Sequence, residues 1–390
     1  MMEAGVTVVS IARCETYQAG QVRSALISAL EPLGGIGAFV RAGQRVLLKP
    51  NLLMPIRPER AITTHPAVVE AMVELVQGAG GEAVIFDSGP VPTGLVVRRA
   101  YRDTGMLEVA ERTGATLHDD IAAVQVPAPE SVLLKRLDLV KLCQEVEVVI
   151  SLPKLKTHNL TTITGAIKNL FGLVPGMTKT AYHAKLPDVE KFCDMLLDIA
   201  THVCPALTVM DGVIGLEGSG PSTGGTPRHV GALLAGSDVV AMDAVVCQIV
   251  GLDPDDLPLF RAAQRHGRWP VEIQVAGTPV AEVAVPDFRL PKTARPVAGR
   301  NRLSSFATKR TRLFVPYPIP QRGRCTACRT CERVCPVQAI SIVDRLAVVD
   351  HEACIRCYCC HEMCPEAAID LQVSLLGRLL RRTGLLGRSA

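Results

Sequence analysis

No uninterrupted apolar run approaches the roughly 18 residues that a membrane-spanning helix requires, although 48% of the 390 residues are hydrophobic. Integral membrane association is therefore not expected, and the apolar residues must serve a large buried core. The first six residues, Met1 to Val6, hold no basic region, apolar run or cleavage site, and no twin-arginine pair precedes the cysteine-rich segment. Export is not expected. A Walker A lysine is missing, and so is the strand, GxGxxG, helix order of a dinucleotide site, because Pro221 and the residues after it prevent a helix from starting in the glycine-rich stretch Glu217 to Gly225. No flavin, nicotinamide or adenosylmethionine motif is recognisable.

Cysteine, in contrast, is abundant. Cys325, Cys328, Cys331 and Cys335 precede Pro336, and Cys354, Cys357, Cys360 and Cys364 precede Pro365, the same spacing repeated 29 residues later. The flanks repeat too, as Ala339-Ile340-Ser341-Ile342 and Ala367-Ala368-Ile369-Asp370. Zinc modules and secreted disulfide frameworks also use spaced cysteines, but zinc sites take pairs, whereas these are matched quartets with a shared terminal proline. The remaining thiols, Cys14, Cys143, Cys193, Cys204, Cys247 and Cys359, are scattered as in a reducing cytosol. A cytoplasmic location is expected. Cys359, inside the second quartet but off its spacing, reads as a spare small residue.

The quartets resemble those of bacterial two-cluster ferredoxins. That resemblance implies two [4Fe–4S] clusters and a crossed ligand set, with Cys325, Cys328, Cys331 and Cys364 on one and Cys354, Cys357, Cys360 and Cys335 on the other. The flanking repeats are consistent with two copies of one short unit about a pseudo-twofold axis.

Charge divides the chain. Residues 1–284 carry 24 Lys and Arg against 30 Asp and Glu, residues 285–324 ten against one, residues 325–370 four against seven, and the remainder four against none. The expected organisation is an α/β domain at 1–284, a basic Pro/Arg-rich linker at 285–322, a small α+β two-cluster ferredoxin-like domain at 323–372 and a basic amphipathic tail at 373–390. The linker lacks interleaved aromatics, so nucleic-acid binding is not expected; the leucine and arginine pattern of the tail allows a peripheral membrane contact or packing on its own domain.

The first 280 residues alternate β-branched runs with amphipathic stretches, the signature of an α/β fold with a mostly parallel sheet and flanking helices. Strands are expected near Thr7–Ile11, Arg45–Lys49, Ala83–Asp87, Val146–Ser151, Leu207–Asp211 and Ala232–Ala235, with helices over Gln21–Leu30, Pro66–Gln77, Val189–His202 and Ala241–Val250. Ligands of such sheets bind at the carboxyl ends of strands.

Three polar segments fall there: Lys49-Pro50-Asn51; Ser151 to His158, continuing through Gly165 to Gly172, Lys179 and His183; and Asp211-Gly212 followed by Glu217 and Gly218. At these residues, across about positions 5–255, the chain resembles the family catalogued as domain of unknown function 362, often fused to a two-cluster ferredoxin module. The resemblance implies architecture more than mechanism. Lys154 and Lys156 gather positive charge suited to an anion, Lys49, Asn51, Glu217 and Gly218 are further candidate substrate contacts, and His158, Lys168 and His183 are candidate proton carriers. The function expected is an iron–sulfur oxidoreductase relaying electrons, with a donor or acceptor protein, to or from a small anionic organic substrate. Two other readings are a non-catalytic electron-transfer partner docking through its large domain, and a transferase or hydrolase whose clusters serve regulation or stability.

Overall fold

Residues 6–89, 94–291, 293 and 315–374 are described by a computed structural model of the chain. Most of the linker and residues 375–390 of the tail lie outside these. Among the described residues, twelve strands build the large domain: β1 (Thr7–Arg13), β2 (Arg45–Pro50), β3 (Glu82–Ile85), β4 (Thr116–Leu117), β5 (Ala123–Pro127), β6 (Arg136–Val140), β7 (Val148–Leu152), β8 (Lys154–His158), β9 (Thr162–Ile163), β10 (Leu207–Gly218), β11 (Gly225–Gly236) and β12 (Ile273–Gly277). Ten form one sheet of order β12-β1-β11-β10-β7-β2-β3-β4, with β8 and β9 off its path, while β5 and β6 pair separately. Its ladders are parallel except those of β11 with β1 and β10, and that of β8 with β9.

Period-two alternation distributes the core. Val46 and Leu48 of β2 and Ile85 of β3 face one apolar cluster under the helices Ala19–Leu30 and Pro66–Gly78, whereas Leu47, Val84 and Phe86 face another under Val189–Val203 and Pro258–Arg265. Strands buried on both faces read as continuous apolar runs, which is why the sequence announces them. Caps fix where two of the helices begin: Asp188 accepts from the amides of Glu190 and Lys191, and Asp238 from those of Val240 and Ala241.

Two strands run further than expected. β10 continues past Asp211 through a bulge between Gly212 and Ile214 and pairs with β11 as far as Gly218. The intervening loop, 219–224, therefore leans out over the small domain.

The small domain consists of β13 (Tyr317–Pro320) paired with β16 (Ile369–Gln372), the hairpin β14 (Ile340–Val343) and β15 (Leu346–Val349), and the helical turns Thr330–Arg333 and Cys359–Glu362. Tyr317–Pro320, assigned to the linker from composition, thus belongs to this sheet. The 29-residue repeat of the sequence extends to the backbone: left-handed residues occur at Ala327, Arg329 and Gln338 and again at Arg356, Tyr358 and Ala367.

Candidate functional site

The carboxyl ends of β2, β3 and β7, together with β8, bring five lysines into one neighbourhood. Lys49 is wholly buried; its Nζ donates to Asp87 Oδ2 at 3.0 Å and to the Pro50 carbonyl at 2.8 Å. Burial lowers the lysine, with Asp87 opposing. Burial alone would raise Asp87, yet Lys49, Lys179 and the Leu52 amide hold its carboxyl below the usual range. A side chain at Gly172 would fall on Lys49 Nζ and Asp87 Oδ1, so the pair depends on a glycine there. Lys154 is closed in the same way, donating to Asp211 Oδ2 at 2.8 Å and to Tyr17 Oη at 2.7 Å. Lys156 donates to Asn51 Oδ1 at 2.7 Å and to the Ile62 carbonyl at 2.8 Å, and burial followed by the charge of Lys168 draws it well below its ordinary value.

Above these groups lies a cavity of about 110 Å³. The large domain lines it with Asn51, Lys156, Thr164, Lys168, Lys179 and His183 among others, and the small domain closes it with Val334, Cys359, Glu362 and Met363. Lys179 donates to Ser88 Oγ and the Gly89 carbonyl; burial, opposed by Asp87 and reinforced by Lys49 and Lys168, brings it down to about 7. Glu362 is pushed up to about 7 by burial, against the pull of Lys168 and Lys156. His183 stacks on Phe192 with ring centroids 4.5 Å apart, and burial with the charge of Lys168 lowers it to about 3. Lys168 differs from the other four lysines: among the described residues it has no hydrogen-bond acceptor, only the Phe171 ring centroid 5.7 Å from Nζ. The helix that carries it, Gly165–Asn169, has its first amides, Ala166 and Ile167, tied to Asp243.

On the small-domain side, one cavity is lined by Cys325, Cys328, Cys331 and Cys364 and a second by Cys335, Cys354, Cys357 and Cys360. Cys359 lines the second cavity as well, beside the four cysteines that the ferredoxin resemblance groups there. The Ala339 amide donates to Cys335 Sγ at 3.2 Å and that of Ala368 to Cys364 Sγ at 3.1 Å, bonds that suit thiolate sulfur in a cluster. Among the described residues, no three His, Cys, Asp or Glu side chains are gathered so as to hold a metal ion. Cys359 lines both the second cysteine cavity and the lysine cavity.

The domains meet through specific contacts. Thr223 Oγ1 donates to the Cys364 carbonyl at 2.7 Å, the His361 ring approaches Ser219 at 3.4 Å, and Met363 packs with Met54, Ile62 and Leu216.

The family model for the domain of unknown function 362 matches residues 46–248, from β2 to the helix Val239–Ile249. The chain belongs to this family. A 4Fe–4S binding domain model matches residues 318–341, which include the first quartet. A thylakoid-associated protein of Synechocystis sp. (strain ATCC 27184 / PCC 6803 / Kazusa) is 39% identical over 296 residues, 74% of this chain and 89% of that protein. Among solved structures, the lactate racemase apoprotein of Thermoanaerobacterium thermosaccharolyticum gives a TM-score of 0.39 at 13% identity, covering 64% of this chain and 58% of that one. A Thermotoga maritima protein gives 0.35 at 12%, covering 65% and 59%. The chain therefore spans less than two thirds of either solved protein.

Within this member of the domain of unknown function 362 family, Asn51, Lys156, Lys168 and His183 line the cavity. Five other candidates do not. Lys49 and Lys154 lie among the lysines with buried carboxylate partners. His158 is buried with Nδ1 accepting from the Leu160 and Thr161 amides at 3.0 and 3.3 Å, which leaves Nε2 to carry the proton, 3.2 Å from Glu362 Oε1 but not aligned as a hydrogen bond. Glu217 accepts from Arg289 Nε at 2.6 Å, and the Gly218 amide donates to the Arg289 carbonyl at 2.6 Å. The glycine-rich loop is a close-packing device: side chains at Gly220 and Gly224 would strike the Thr157 and Ser219 carbonyls, the latter also crowding the His361 ring. Sequence reasoning missed Thr164, Asn169, Glu362 and the position of Cys359. Only Cys359 left a signal, as the one cysteine out of register.

Proposed function

We propose that the protein is a cytoplasmic iron–sulfur oxidoreductase acting on a small organic anion held between its two domains. The carrying observation is that Cys359 lines both the second cysteine cavity and the lysine cavity. Two [4Fe–4S] clusters, held by Cys325, Cys328, Cys331 and Cys364 and by Cys335, Cys354, Cys357 and Cys360, would supply single electrons at low potential. Lys156, Lys168 and Lys179 set a positive field for an anion and for charge developing on it. With a value of about 7, Lys179 Nζ holds a proton that it can release near neutral pH, while His183, lowered to about 3, stays neutral there. Reduction is the direction this field favours.

Among the described residues no helix is long and apolar enough to cross a membrane. A basic tail resting on a membrane surface would suit both a cytoplasmic location and the association named for the Synechocystis relative.

The test is anaerobic. Reconstituted protein should bind about eight irons per chain and show paired paramagnetic centres on reduction, and small carboxylic acids should reoxidise the dithionite-reduced protein without a second enzyme. Cys360→Ser should lose about half of the iron and all of that reoxidation. If the variant still reoxidises at the wild-type rate, or no organic acid accepts electrons from the intact protein, the proposal is wrong.

A further inference from the structure

The lysine cavity has an uneven lining, and its unpartnered groups say what belongs in it. Thr164 is 3% exposed, and its Oγ1, like Glu362 Oε1 on the facing wall, is buried without a hydrogen-bond partner among the described residues. Lys168 Nζ has no acceptor there either, whereas Lys156 and Lys179 already donate to two acceptors each. Buried polar groups are satisfied in folded proteins, so the open Thr164 Oγ1, lining the same cavity as a half-buried lysine that has no acceptor, points to a ligand that completes both. All of its lysines come from the large domain, while the small domain adds Val334, Met363 and Cys359, with Glu362 its single charge.

We infer, building on the proposed electron relay, that the ligand is a short-chain carboxylic acid whose carboxylate is held by Lys168 Nζ and Thr164 Oγ1 and whose carbon body lies against Val334 and Met363. One ammonium and one hydroxyl match the two oxygens of a carboxylate. A phosphate brings three strong acceptor oxygens, but among the described residues no arginine lines the cavity, and the nearest helix amides, those of Ala166 and Ile167, are spent on Asp243. The cavity volume corresponds to about four waters of liquid volume, which suits an acid of few carbons.

Calorimetric titration of the full, anaerobically reconstituted chain with propionate, propionamide and inorganic phosphate tests this directly. Propionate should bind saturably, propionamide should not, and phosphate should bind more weakly. Lys168→Met should weaken propionate about ten- to a hundredfold and Thr164→Val about three- to tenfold, the range expected for charged and neutral hydrogen bonds. Lys168→Arg, which keeps the charge, should retain more affinity than Lys168→Met, and thermal unfolding checks that each variant is folded. Absence of saturable propionate binding, equal binding of propionamide, a preference for phosphate, or unchanged affinity in both Lys168→Met and Thr164→Val overturns the inference. Binding that follows these residues while no acid takes electrons from reduced protein would uphold the acid site and sink the relay.

Discussion

Two sets of lysines stand at the same sheet edge and do different work. Lys49 and Lys154 lie beneath the cavity, each within 3.0 Å of a buried aspartate. Lys168 and Lys179 line the cavity itself, and among the described residues neither is hydrogen-bonded to a carboxylate. The difference teaches that a lysine with its own countercharge is scaffold. One without it is free to meet a ligand.

The strongest way to break that comparison is to remove a scaffold lysine. Lys154→Met leaves Asp211 buried beside only Tyr17 and backbone amides, and should lower stability by about 3–5 kcal/mol while leaving propionate affinity nearly unchanged; urea unfolding and calorimetry on one preparation decide it. A large loss of affinity without a loss of stability would reverse the assignment. Gly172→Ala pushes a methyl onto the Lys49–Asp87 pair and should destabilise by about 1–3 kcal/mol, read from the unfolding midpoint. A wild-type midpoint would show that the pair tolerates displacement.

The mildest effect sharpens the contrast through pH. Because Lys179 falls to about 7 in the folded chain from an ordinary value of 10.5, propionate affinity should drop severalfold as pH rises through about 7, and Lys179→Met should flatten that profile. Folding responds with the opposite sign. Between about 7 and 10.5 the unfolded chain holds this proton more tightly than the folded one, so the contribution of Lys179 to stability rises with pH over that window. A pH-independent wild-type affinity would remove Lys179 from the site.

Much of the fold was legible because its signals are local. Buried parallel strands appear as apolar runs, and Pro66 after His65 or Asp188 before Val189 mark helix starts within a few residues. The first two polar segments meet near strand ends, where Lys49 donates to Asn169 and Lys156 to Asn51. Illegible was which lysine has a partner: Asp87 lies 38 residues from Lys49 and Asp211 lies 57 from Lys154, and no periodicity links them. Lys154 and Lys156 look equivalent in the sequence, yet only one meets an aspartate. Glu217 misled because β10 runs on through a bulge and turns that carboxylate toward Arg289. The cavity's remaining wall, from Val334 to Met363, belongs to a domain whose approach nothing in the large domain announces.

Val334 and Met363 also stand 29 residues apart, at matching places in the two halves of the duplicated unit, and both reach the same cavity. A symmetric object that meets an asymmetric pocket along its own axis shows it both copies of one position at once. After duplication those copies are released from having to be alike, and here one is a stiff branched residue and the other a pliant thioether. Changes in acid preference among related chains would therefore concentrate at this one pair, leaving the eight sulfurs and the lysines untouched.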